Sequence, residues 1–203
     1  MAFPDYFSRI PPITLYDPLA ELLGAAEGGL IEYCFADAVK LAGHACPTVA
    51  GAWLAGCGGL QALYDDAMPE RGKIRVDFGE ALESGVAGVI GSVLGLLTGA
   101  AGSGGFAGLG GRHRRRGLLH FGVAGVGHLR LTRLDNGRQV DCRVDLSAVP
   151  AHPLTGELLG SILTGQADAA QRQLFARLWQ ARVEQILLDT TLRPRLLTLS
   201  RSG

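Results

Sequence analysis

An α+β fold is predicted by three features of the chain. Apolar residues recur at helical spacing toward both ends, short alternating segments fill the middle, and Asp135-Asn136-Gly137 marks a hairpin between two of those segments. A length of 203 residues suits one core carrying a smaller helical appendage. The division predicted is an α+β core with an N-terminal arm over 1–150 and a helical extension over 151–203, joined at Pro150 and Pro153.

The elements follow in order. Three prolines among the first 16 residues predict an irregular arm lying on the body. Asp17-Pro18 reads as an N-cap followed by proline at the first helical position, opening a short helix that ends at Gly28-Gly29. A second helix is expected from Leu30 to Ala42, stopped by Gly43, and a third from Pro47 to Tyr64. Gly51, Gly56, Gly58 and Gly59 leave little bulk on the third helix, which suits close packing. Lys73 to Phe78 alternates as a strand, and Glu80 to Thr98 is expected as a helix with Gly91, Gly95 and Gly99 along one ridge. Strands are expected over 117–121, 127–134 and 138–146, in a mostly antiparallel sheet. Helices over 155–163 and 169–188 close the pattern; Leu174, Leu178, Ala181, Gln185 and Leu188 share a face that Phe175, Trp179, Val183, Ile186 and Leu187 widen.

Nineteen basic and nineteen acidic residues cancel, so no global field holds a nucleic acid. The one dense basic cluster is Arg112, Arg114, Arg115 and Arg116 around His113. Residues 84–111 carry no charge, but 11 glycines interrupt them and only Val86 to Leu97 is strongly apolar, too short for a membrane span. Four scattered cysteines without a C-x-x-C pair, and no secretory signal at the start, lead to the expectation of a cytoplasmic protein with reduced thiols.

Chemistry concentrates at Gly43-His44-Ala45-Cys46-Pro47, which places an imidazole and a thiol two residues apart between two helices. Both side chains change protonation near neutrality, and both suit zinc, iron or copper. Two further ligands would have to come from elsewhere; Cys34, Asp37, His120, Asp77 and Glu83 are candidates without a selecting spacing. The pair can instead be a nucleophile, Cys46, with His44 as its base. Cys57 and Cys142 lie in apolar or strand patterns and read as inert.

Residues 102–111 (GSGGFAGLGG) can expose backbone N–H groups to an anion, with the arginines beyond them supplying charge. No Gly-Lys-Ser/Thr follows, which excludes a P-loop. Gly104, Gly105, Phe106, Gly108 and Arg112 are the candidate cofactor-binding residues, in a loop that can close over His44 and Cys46 with Phe106 as its apolar anchor.

A helix ending in Gly43-His44-x-Cys46-Pro47 and followed by a small-residue helix resembles the FmdE family, which takes its name from formylmethanofuran dehydrogenase. The segment Gly85-Val86-Ala87-Gly88-Val89-Ile90 and the glycine-rich loop are similar to that family's helix and loop, and the likeness covers roughly residues 30 to 190. Thr48 replaces the motif's last glycine, Ser84 stands where a second cysteine is usual, and Ala100 and Ala101 replace a Cys-Thr pair. No C-terminal zinc-finger cysteines are present. The resemblance implies an FmdE-like α+β core, a homodimer, and a metal-binding or active site around the motif. The expectation that follows is a metal- or cofactor-binding protein, with His44 and Cys46 as ligands of a transition metal, zinc first, or of a metal-containing cofactor such as haem. An accessory role in redox or one-carbon metabolism would suit it. The alternatives are a thiol-dependent enzyme and an assembly protein acting through its C-terminal helices. A small-molecule or metallocofactor ligand is expected; nucleic acid and membrane are not.

Overall fold

A computed structural model describes residues 3–202. Its elements, in order, are β1 (Ile13–Tyr16), α1 (Pro18–Leu22), β2 (Leu30–Tyr33), α2 (Phe35–Ala42), α3 (Pro47–Tyr64), β3 (Ile74–Phe78), α4 (Ala87–Thr98), β4 (Leu119–His120), β5 (Leu129–Arg133), β6 (Gln139–Val144), α5 (Leu154–Leu163), α6 (Ala169–Leu188), α7 (Arg193–Leu196) and β7 (Leu197–Ser202). The α+β class holds. The main sheet has the order β4-β3-β5-β6-β7, antiparallel except where β3 meets β4. A separate two-stranded sheet pairs β1 with β2.

The helix α3 is the centre of the fold. It lies on β5, β6 and β7 and also meets α2, α4 and α6. Fourteen of its 18 residues are buried, so its apolar character runs round the whole helix, as burial on several sides requires. A side chain at Gly56 would strike Leu97 of α4 at 2.5 Å, and one at Gly59 would strike Leu131 and Cys142 of the sheet at 2.7 and 2.9 Å. The glycines predicted to permit close packing therefore do so against leucine ends on both flanks.

The sheet's other face is polar. Across it runs a row of alternating charge in which Asp77 faces Arg130 and Arg130 faces Asp141. Arg130 Nε donates to Asp141 at 2.8 Å, and His120 Nδ1 lies 2.9 Å from Asp77. Opposite charges in register favour this pairing.

Several expectations need correction. Leu30 to Tyr33 is a strand rather than the start of a helix, because it finds a partner in β1; a capping box of Cys34 and Asp37 then starts α2. The helix expected from Glu80 begins only at Ala87, since Gly85 adopts φ 52° just before it. The arm is less irregular than expected, with a 3-10 turn at Asp5–Arg9 and the strand β1. On α6 the inward stripe is Trp179, Val183, Ile186 and Leu187, whereas Ala181 and Gln185 are exposed. The C-terminal segment packs on the core of its own chain and ends in β7, which joins the main sheet.

The first helix ends at Leu22 rather than at Gly28-Gly29, which belong to a separate 3-10 turn, but three other punctuated boundaries fall where expected. Asp17 accepts from the N–H groups of Leu19 and Ala20 at 2.9 and 3.3 Å. Gly43 caps α2 at φ 78°. The Asp135-Asn136-Gly137 turn joins β5 to β6, with Gly137 at φ 74° and its N–H bonded to the Arg133 carbonyl at 3.0 Å.

Candidate functional site

The connector between α2 and α3 is held by the C-terminal helix. The Ala45 carbonyl accepts from Trp179 Nε1 at 3.1 Å and from Gln180 Nε2 at 3.2 Å. Gln180 in turn accepts from the Tyr6 hydroxyl at 2.7 Å. Burial pushes that phenol's pKa up, and Glu184 adds to the effect. The segment thus joins arm, connector and α6 in one hydrogen-bonded path.

His44 is exposed, and its Nδ1 lies 2.9 Å from the Ala42 carbonyl. A carbonyl only accepts, so Nδ1 carries the proton and neutral His44 presents Nε2 as a lone pair. Cys46 is buried, and its sulfur accepts from the Val49 N–H at 3.5 Å as the N-cap of α3. The two side chains are therefore neighbours in sequence without a hydrogen bond between them. Among the described residues no three His, Cys, Asp or Glu side chains stand together to hold a metal ion. A structural zinc wants four such donors, more than the described residues bring together at any one place.

The remaining thiols differ in reach. Cys34 is half-buried, its sulfur 3.3 Å from Asp37 Oδ2. Burial pushes the Cys57 thiol up to about 12 despite nearby Arg193, and burial together with Asp141 pushes Cys142 up to about 12. Because the thiolate is the reacting form, limited alkylation at neutral pH is expected to mark Cys34 before Cys57 and Cys142. Peptide mass spectrometry after brief iodoacetamide treatment checks the order; equal labelling of Cys34 and Cys142 would contradict it.

The hollow nearest this end of α3 is a cavity of about 210 Å³. Gly51, Ala52 and Ala55 of α3 form one wall, and Phe78, Ile90, Leu129, Cys142 and Val144 face them from the sheet and α4. Thr48, Glu80 and His128 supply its polar groups. His128 Nδ1 and Glu80 Oε1 are 3.4 Å apart, both side chains about half exposed, at 56% and 45%. Gly79 sets this pair. A side chain there would run into the carbonyl oxygens of Val126 and Gly127, and the Gly79 N–H bonds the His128 carbonyl at 3.2 Å. The sequence does not single out Glu80 or His128, since 48 positions separate them and neither belongs to a local motif; Gly79, at the end of a strand pattern, is the one signal of close backbone approach.

The glycine-rich loop lies elsewhere. Leu109 and Arg112 exchange backbone hydrogen bonds of 2.9 and 2.8 Å around Gly110 and Gly111, both at positive φ, which makes a two-residue hairpin turn. Gly105 N–H bonds Gly102, and the Phe106 carbonyl accepts from the N–H groups of both Arg115 and Arg116. The loop is therefore folded on its own arms, and several of its amides are already paired. Phe106 is exposed, at 42%. Of the candidate cofactor-binding residues, Arg112 lines a cavity distinct from that beside α3; Gly104, Gly105, Phe106 and Gly108 line neither of the two. No protein-family model matches the chain, and no curated protein matches it. No helix among the described residues is long and apolar enough to cross a membrane.

Proposed function

We propose that the chain is a binding protein for a small molecule with an apolar body and a hydrogen-bonding end, seated in the cavity on the flank of α3. The observation that carries this reading is the cavity itself, with apolar walls and the Glu80–His128 pair as its polar group. Few convergent polar groups in an apolar hollow are the usual form of a ligand site. Its volume, about 210 Å³, compares with the roughly 150 Å³ of an apolar cavity that takes up benzene. A body of one or two rings fits it. The two ends of the Glu80–His128 pair provide an acceptor and a donor, so an amide, alcohol or heteroaromatic N–H is matched. The resemblance of Gly43-His44-Ala45-Cys46-Pro47 to the FmdE motif supports placing function at the same end of α3, whose first turn contains Thr48.

The test uses indole and benzyl alcohol as probes. Chemical shifts of the Ala55 and Cys142 amides are expected to move saturably, and Ala55→Leu, which fills the cavity, to remove the change while Tm stays within a few degrees. Equal responses in wild type and variant, or none at saturating probe, would defeat the proposal.

A further inference from the structure

A second and larger cavity, of about 510 Å³, opens between the turn Glu70–Lys73 and the arm Gly111–Arg115. Five cationic side chains line it, Arg71, Lys73, Arg112, Arg114 and Arg115, against the carboxylates of Glu70 and Asp135. In a chain whose formal net charge is zero, this is a local positive field.

The cations divide into two groups. Arg71 and Arg115 are committed inward, both to the buried Asp17, with Arg115 Nη2 at 2.6 Å. Lys73, Arg112 and Arg114 pair with no carboxylate among the described residues, while Asp135 on the rim is taken by Arg133. Between the groups stands an unmet donor. Arg115 has a side chain only 9% exposed, and its Nη1 has no hydrogen-bond partner. That nitrogen lies over Gly72, where any side chain would collide with it. Buried guanidinium N–H groups ordinarily find acceptors, and this one, on a residue that lines the cavity, has none.

We infer that this cavity binds a small molecule bearing a phosphate or a similar dianionic group, held by Lys73, Arg112 and Arg114 with Arg115 behind them. Guanidinium forks suit phosphate oxygens in two-point contact. The volume exceeds what one phosphate ion fills, so the group is expected to be carried on a larger body. The site is independent of the cavity beside α3.

Titration calorimetry in low-salt chloride buffer tests it, with inorganic phosphate, pyrophosphate and adenosine monophosphate as separate probes. Pyrophosphate is expected to bind one to one, with affinity falling as salt is raised. The double variant Arg112→Ala/Arg114→Ala should lose about tenfold or more in affinity, and Arg112→Lys/Arg114→Lys should keep part of it. Both arginines are exposed, so the variants should melt as wild type does, which separates lost binding from lost folding. Adenosine monophosphate binding more tightly than inorganic phosphate would assign the body to a nucleotide; equal affinities would assign recognition to the phosphate alone. Equal heats in wild type and the alanine variant, no heat above chloride, or tighter retention of unrelated single-stranded RNA than of every monomer would overturn the inference.

Discussion

Asp17→Ala is expected to destabilise the fold by about 3–5 kcal/mol, the range for removing one partner of a buried ion pair. The loss is large because one carboxylate serves three segments. Asp17 caps α1, receives Arg71 from the turn before β3, and receives Arg115 from the arm after the glycine loop. Arg71 also donates to the carbonyls of Leu97 and Leu96 at 3.1 and 2.9 Å, covering the C-terminal end of α4. Two guanidinium groups would be left without their anion in a buried place, and the cap would go as well. A domain of this size has about 5–15 kcal/mol in hand. Urea denaturation of Asp17→Ala and Asp17→Asn separates the parts: asparagine keeps a good N-cap and loses only the charge. A loss below about 1 kcal/mol in both variants would show that the cluster does not hold these segments together.

The same cluster predicts an acid limb. Burial alone would raise the Asp17 pKa, but Arg115, Arg71 and the backbone N–H groups of Ala20 and Leu19 together outweigh it and hold the carboxyl below its ordinary value. A folded pKa below the unfolded one means stability fully present above the unfolded value of about 4 and lost as pH falls through the folded value. Wild type should therefore lose stability on acidification below about pH 4 more steeply than Asp17→Asn.

What the sequence discloses depends on whether the physical cause is local. Asp17-Pro18, Gly43 and Pro47 mark their helix ends because the capping chemistry acts within a few residues, and Asp135-Asn136-Gly137 marks its hairpin for the same reason. Gly110-Gly111 carries an equally local hairpin signal, hidden by the glycines around it. The strand β2 is illegible because Leu30-Ile31-Glu32-Tyr33 continues into a helical pattern, and only pairing with the distant β1, where Ile13 faces Tyr33, resolves it. Meetings between remote segments leave no spacing behind. Asp17 and Arg115 are 98 residues apart, and the Gln180 bond to Ala45 spans 135. His44 and Cys46 stand out in the sequence because they nearly adjoin, yet the structure turns the imidazole to the Ala42 carbonyl and the thiol to the Val49 amide.

Phe35→Ala is expected to have a comparable effect, about 3–5 kcal/mol for deleting a fully buried aromatic ring, and to reach the connector as well. Phe35 is fully buried at the first turn of α2. Its ring meets Phe7 of the arm at 5.0 Å and Trp53 of α3 at 6.1 Å, both edge to face. This side chain therefore links the arm to the central helix, and Phe3 stacks on Phe7 in turn at 5.1 Å. Tyr6, next to Phe7, fixes Gln180, and Gln180 fixes the Ala45 carbonyl. Loss of the Phe35 ring should loosen all three. Hydrogen exchange is expected to accelerate for the amides of Phe7 and Ile10, which bond within the arm, and for Val49, whose amide depends on the position of Cys46. Val183 and Ile186, buried where α6 meets the core, should exchange as slowly as before until global unfolding sets in. Phe3→Ala, at a half-buried position, serves as the comparison, with a loss of about 1 kcal/mol. If Phe35→Ala melts with Phe3→Ala, or accelerates exchange uniformly over the chain, the aromatic path does not transmit the arm's hold to the connector.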